Sequence, residues 1–175
     1  NDGDKVRFLY LGSLVPAKGL PLLLDVWREN EFNERAELWM IGSATNFALK
    51  QMENVKGIKY KGKVPRAHLP TLLRQCDCLI FPSFFEGFGQ VILEAMAAGL
   101  TVITTDATAG PDIIEHEKEG FLISVGDRKQ LSSYMDVLIR DRSLTKNMGK
   151  LSKEKARSFS WNAYGDRWKK ILLSI

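Results

Sequence analysis

Two carboxylates, Glu86 and Glu94, stand with seven residues between them in the stretch F-P-S-F-F-E-G-F-G-Q-V-I-L-E-A-M-A-A-G, Phe81 to Gly99. The stretch leaves the apolar run Cys78-Leu79-Ile80-Phe81, turns through Pro82-Ser83 and past Gly87 and Gly89, and ends in a helix-forming segment rich in Ala and Met. A helix N-terminus behind a glycine turn presents backbone N–H groups to an anion or a hydroxyl. Ionised carboxylates beside it accept hydrogen bonds from several hydroxyls. Taken singly, Glu86 also suits a helix cap. Glu94, set among Val91, Ile92, Leu93, Ala95 and Met96, must reach solvent, a partner or a ligand.

A cation stands in a second glycine loop, Gly12-Ser13-Leu14-Val15-Pro16-Ala17-Lys18-Gly19. Glycine lets the backbone approach a ligand closely. A lysine just before a helix start lies beside the positive end of the helix dipole, a poor position unless an anion shares it. The plainer alternative is a solvated loop lysine. Other phosphate and nucleophile signatures are absent. No G-x-G-x-x-G follows the first strand, Lys18 is followed by Gly19 rather than Ser or Thr, and Ser83 lies in no nucleophile elbow.

The elements that must position these residues alternate. Apolar strands are expected at Val6–Leu11, Glu37–Ile41, Ile58–Tyr60, Asp77–Phe81, Thr101–Thr105 and Phe121–Ser124. Between them, Leu20, Leu23, Leu24 and Trp27 form one helical stripe, and 46–54, 66–75 and 88–98 read as helices. Further stripes are Leu131, Tyr134, Met135, Leu138, then Leu144, Met148, Leu151, and last Trp161, Tyr164, Trp168, Ile171, Leu172. Strands that are apolar on both faces have helices over both faces. The order predicts an α/β fold: a three-layer, Rossmann-like, doubly wound parallel sheet of about six strands. Ligands bind such a sheet at the carboxyl ends of its strands. The polar turns 12–19, 42–46, 62–66, 83–89 and 106–112 all follow strands and should share that rim.

The 175 residues fit one domain, 1–175, with an ordinary globular composition of 45% hydrophobic and 26% charged residues. A net charge of +4 is compatible with anionic small ligands and too small to argue for nucleic acid. Cys76 and Cys78 are read as reduced core thiols, and His68 and His116 sit in unrelated places, so no metal site is expected. No apolar run reaches the roughly 20 residues of a membrane span. The chain starts at Asn1, which suggests a segment of a longer protein.

The Phe81–Gly99 stretch resembles the E-x7-E motif of retaining nucleotide-sugar glycosyltransferases of family four, which have the GT-B fold. Tyr10-Leu11-Gly12-Ser13-Leu14-Val15-Pro16-Ala17-Lys18-Gly19 resembles that family's G-R-L-x-x-x-K-G loop. Leu38–Gly42, Tyr60–Val64, Thr101–Asp106, Glu119–Ile123 and Phe159-Ser160-Trp161 are similar to its later strand ends and last helix start, in order.

The resemblance implies the C-terminal, donor-binding half of a two-domain enzyme, with the acceptor domain absent from these residues. It implies retaining transfer of a hexosyl group from a UDP-, GDP- or ADP-sugar to a glycan or glycolipid, without a metal or other cofactor. Lys18 would neutralise the diphosphate and Glu86 would contact the transferred sugar. Glu94 would accept from the ribose hydroxyls, and the backbone near Val64 would meet the base. Gly12, Ser13, Gly87, Phe88 and Gly89 would complete the donor contacts. The face of Trp161, Tyr164 and Trp168 would pack partly on the other half, against the alternative that it packs on its own sheet. A cytoplasmic location is implied, at the inner face of the membrane, with peripheral membrane association of the full protein. Two departures stand out. Ser13 replaces the family's arginine, and Asp112 its glutamate after the fifth strand. Arg66 or Lys63 is the expected substitute for the missing diphosphate cation. A binding module without catalysis and a GT-B epimerase are the alternative functions.

Overall fold

The structure, a computed structural model, describes residues 5–173. Strands β1 (Val6–Leu11), β2 (Ala36–Ile41), β3 (Ile58–Gly62), β4 (Cys78–Phe81), β5 (Thr101–Thr105) and β6 (Gly120–Ile123) form one sheet in the order β3-β2-β1-β4-β5-β6. Every neighbouring pair is parallel. The expected doubly wound, three-layer Rossmann-like sheet is present, with six strands. The strand order reverses between β1 and β4, so the loops after these two strands flank the crevice where such sheets take ligands.

Helices are α1 (Leu20–Glu29), α2 (Asn46–Met52), α3 (Leu69–Leu73), α4 (Gln90–Ala98), α5 (Gly110–Ile113), α6 (Arg128–Arg140), α7 (Arg142–Ala156) and α8 (Trp161–Leu172). Alternate strand residues feed opposite cores. Phe8, Tyr10, Leu38 and Met40 pack with α1, α2 and α6 on one face. Leu9, Leu11, Trp39 and Ile41 pack with α3, α4 and α5 on the other. This is why the strands read as continuous apolar runs. Trp27 anchors the first core, edge-on to Phe8 and Phe32, and its Nε1 donates to the Lys56 carbonyl at 2.8 Å. Cys76 precedes β4 and joins the second core, whereas Cys78 lies on β4 in the first. Burial pushes the Cys76 thiol up to about 12 and raises that of Cys78 as well.

The structure departs from the sequence reading in several elements, and the turn read at 106–112 runs into the short helix α5. The segment 66–75 is a 3-10 turn, Arg66–His68, followed by the short α3. Helix α4 starts at Gln90 rather than Phe88, because Gly89 has a left-handed φ of 81°. On α7 the fully buried residues are Thr145, Met148, Gly149 and Ser152; of the expected stripe Met148 is buried, Leu144 packs on the first core and Leu151 is half-buried. The reason for the small residues is the close approach of α7 to the end of α4, where a Cβ on Gly149 would lie 2.3 Å from the Gly99 carbonyl oxygen. Only small residues fit that contact. On α8, Tyr164, Trp168, Ile171 and Leu172 are about half exposed or more, so this face does not bury on its own sheet. The side chain of Trp161 lies outside the described residues.

Glu37 on β2 is opposite Arg7 in the β1 register and accepts hydrogen bonds from Lys59 Nζ (2.6 Å), Trp39 Nε1 (3.0 Å) and Arg7 Nε (3.1 Å). Burial raises its pKa, but these donors outweigh it and hold the carboxyl at about 2. A carboxyl held below its usual value of 4.5 stabilises the fold above that value, and the stabilisation fades as pH falls toward about 2. Acid titration of the unfolding midpoint is therefore expected to show a loss across that window that is smaller in Glu37→Gln. Gly149→Ala is expected to lower unfolding free energy in urea by about 1–3 kcal/mol. Gly165→Ala, at a helical site with open space around it, is expected to raise it by roughly 0.5–1 kcal/mol.

Candidate functional site

The loop after β1 is clamped on both sides by backbone. The Gly12 amide donates to the Ile41 carbonyl and the Leu14 amide to that of Ser43, which ties the loop to the end of β2. The Tyr10 hydroxyl, in the first core, donates to the Ser13 carbonyl at 3.0 Å. A short 3-10 turn, Pro16–Lys18, then ends at Gly19, whose φ is 73°. A Cβ on Gly19 would lie 2.0 Å from the Pro82 carbonyl oxygen. Glycine is thus required where the first loop crosses the loop after β4.

The loop after β4 is braced from three sides. The Phe84 amide donates to the Ala17 carbonyl at 2.9 Å, and that of Glu86 to the Ala107 carbonyl at 3.2 Å. Buried Ser83 donates to the carbonyls of Phe85 and Ala17, and Thr105 Oγ1 on β5 donates to the Ser83 carbonyl at 2.6 Å. These bonds fix the backbone on either side of Glu86. The Lys18 ammonium meets the Glu86 carboxylate in a salt bridge whose side chains are about a quarter exposed. It also lies 6.0 Å from the centre of the Phe81 ring.

Lys18, Glu86, Gly12, Phe88 and Gly89 line one cavity of about 430 Å³, together with Gln90 and Val91. Gly89 has no side chain to cap α4, so its first turn is left with backbone donors at the cavity wall. The cavity thus combines a cation, a carboxylate and a helix N-terminus, a set suited to a phosphorylated ligand bearing hydroxyls. Gln90 and Val91 were not singled out from sequence. Their signal is the glycine immediately before the helix, which leaves the N-terminus uncapped.

The other sequence candidates fall outside this cavity. Ser13 is exposed and accepts from Ser43 Oγ at 3.3 Å, turned toward the β2 loop. Gly87 is exposed on the rim, with nothing near its Cα that a Cβ would meet. Val64 packs against the second core. Glu94 opens on a neighbouring groove of about 290 Å³ between α3 and α4 and pairs with Arg66, Nη2 to Oε1 2.9 Å. Arg66, expected with Lys63 as a substitute cation for the diphosphate, is paired with this carboxylate. Asp112 is exposed in the first turn of α5. Among the described residues no three His, Cys, Asp or Glu side chains come together as a metal site, and no helix is long and apolar enough to cross a membrane.

Comparison with known proteins agrees with this architecture. Residues 1–155 match the family model "Glycosyl transferases group 1". The chain is 30% identical over 167 residues to an uncharacterized glycosyltransferase, MJ1178, of Methanocaldococcus jannaschii, covering 92% of this chain and 46% of that protein. It is 34% identical over 152 residues to the capsular polysaccharide biosynthesis glycosyltransferase CapM of Staphylococcus aureus, covering 80% and 38%. This chain spans less than half the length of these relatives. In fold it is similar to Anabaena Alr3699/HepE in complex with UDP and glucose, at a TM-score of 0.81, 24% identity, 98% coverage of this chain and 49% of that one. It is similar also to the C-terminal domain of a group 1 glycosyl transferase, LpcC, from Francisella tularensis, at 0.78, 24%, 87% and 85%. With its six-stranded Rossmann-like sheet of the GT-B type, the chain belongs to the group 1 glycosyl transferases.

Proposed function

We propose that this chain is the nucleotide-sugar-binding half of a retaining hexosyltransferase, and that the cavity lined by Lys18, Glu86 and the start of α4 takes the diphosphate and the sugar of the donor. The observation that carries this reading is the convergence of those three groups at the strand-order reversal. Departure of a nucleoside diphosphate builds negative charge on the leaving oxygens. A fixed ammonium and a helix N-terminus stabilise that charge most where water is displaced. The anomeric carbon becomes electron-poor as the bond to the diphosphate breaks, and the Glu86 carboxylate is placed to stabilise it and to orient the sugar hydroxyls. Lys18 and Glu86, joined in a salt bridge, then exchange partners: the ammonium goes to the diphosphate and the carboxylate to the sugar.

Glu94, four residues into the same helix, is assigned to the ribose, and the backbone near Val64 to the base. The Glu86-x7-Glu94 spacing is thereby read as one site divided between sugar and nucleoside. Retention of the anomeric configuration would follow from front-face attack or a short-lived ion pair, with no covalent intermediate and no metal. UDP and UDP-glucose complexes of the Anabaena neighbour support a nucleotide-sugar ligand. Relatives named for an O-antigen chain mannosyltransferase and a phosphatidyl-myo-inositol mannosyltransferase support a glycan or glycolipid acceptor. The acceptor is assigned to a second domain, and the half-exposed Tyr164, Trp168 and Ile171 face of α8 is an apolar surface for part of that contact.

Calorimetry of the chain against UDP, GDP and ADP is expected to show binding of at least one. Lys18→Ala and Glu94→Ala are each expected to weaken it by about tenfold or more, the range of a lost charge-assisted hydrogen bond. Full affinity in both variants would overturn the assignment. Glu86→Ala is expected to leave nucleoside diphosphate affinity within about threefold while weakening the intact nucleotide-sugar more. By itself the chain is expected to bind donor and transfer little, so robust transfer by these 175 residues would contradict the half-site reading.

A further inference from the structure

Arg66 opens the 3-10 turn after β3 and reaches across the α3–α4 groove to Glu94. The contact is single, one Nη2–H to one carboxylate oxygen at 2.9 Å. The Arg66 side chain is 83% exposed and that of Glu94 29%. A long, exposed side chain held at one point gains little from its ion pair, because solvent screens the attraction and the side chain loses freedom. The Lys18–Glu86 pair differs, since both of its side chains are about a quarter exposed. The two carboxylates are therefore held with unequal strength, and the weaker hold is on the one assigned to the ribose.

We propose that Arg66 is a specificity-setting residue of the donor site, competing with the vicinal diol of a ribose for the Glu94 carboxylate. This rests on the donor reading of the site. A ribose diol brings two hydroxyl donors at a fixed spacing, which suits the two oxygens of one carboxylate, whereas Arg66 supplies one N–H. A ligand with the diol replaces the ion pair and gains from Glu94 what remains after that exchange. A ligand without it leaves the pair in place and gains nothing there. Arg66 thereby lowers affinity for ribonucleotides selectively. Before ligand enters, its guanidinium is engaged with Glu94.

The test is calorimetry of this chain, which carries a core on each face of its own sheet. The ligands are whichever of UDP, GDP and ADP binds tightest and the 2′,3′-dideoxy form of the same diphosphate. Arg66→Ala is expected to tighten the ribonucleotide by about two- to fivefold, the range of an exposed ion pair. It is expected to leave the dideoxy form unchanged, and to have no effect on either ligand in a Glu94→Ala background. Arg66→Gln, which keeps the bulk of the turn, is expected to match Arg66→Ala. Weaker binding of both ligands in Arg66→Ala would overturn the proposal and make Arg66 a diphosphate cation. Unchanged binding of the ribonucleotide would overturn it too. Failure of the wild-type chain to bind any of the three diphosphates would instead overturn the donor reading, and the competition with it.

Discussion

The site depends on the crossing of two loops, where the residue after Lys18 must pass under the backbone of Pro82. Only a glycine fits there, at φ 73° and with the carbonyl oxygen of Pro82 where a Cβ would be. The Phe84 amide to Ala17 carbonyl bond holds the crossing together. That contact joins the end of β1 to the end of β4 and brings Lys18 and Glu86 from 68 residues apart into one salt bridge. The strand order reverses at the same place, so the crevice that the topology opens is the one the crossing lines. Thr105 and Ala107, on and after β5, then fix the far side of the Glu86 loop.

Each acidic residue of the Glu86–Glu94 pair meets a cation of its own chain. This has an energetic logic. A carboxylate in a partly buried place costs less when it is paired. A ligand that supplies replacement partners for both members of the pair loses little by breaking it. In the proposed donor complex the diphosphate and the sugar hydroxyls would do this for Lys18 and Glu86. A ribose there would offer a new partner to Glu94 but none to Arg66, which would make the second exchange less favourable than the first.

Much of this was legible in the sequence because it is written in local pattern. Five of the six strands announce themselves as apolar runs, since each feeds both cores, whereas edge strand β3 exposes Lys59, Tyr60 and Lys61. The Gly12–Gly19 and Phe81–Gly99 stretches show a glycine turn with a charge beside it, which is enough to mark a rim. What stayed hidden depends on approach between distant elements. The small-residue face of α7 exists because Gly149 meets the Gly99 carbonyl, and the apolar stripe on the same helix marked Met148 and Leu144 but not that close contact. The start of α4 moved to Gln90 because the backbone conformation of Gly89 is not encoded in its neighbours' hydrophobicity. Arg66 was visible as a rim cation, but its partner lies on another helix 28 residues on, and reach across a groove has no sequence signature.

The central claim is that one cavity, lined by Lys18, Glu86 and the first turn of α4, receives the donor. Amide NMR of the labelled chain during titration with UDP, GDP and ADP tests it most directly. The account predicts that at least one of them shifts the amides of Gly12–Gly19 and of Glu86–Val91 together, with saturation at a common concentration. Shifts confined to other surfaces, such as the groove between α1 and α6 lined by Glu29, Arg35, Arg128 and Asp136, would contradict it.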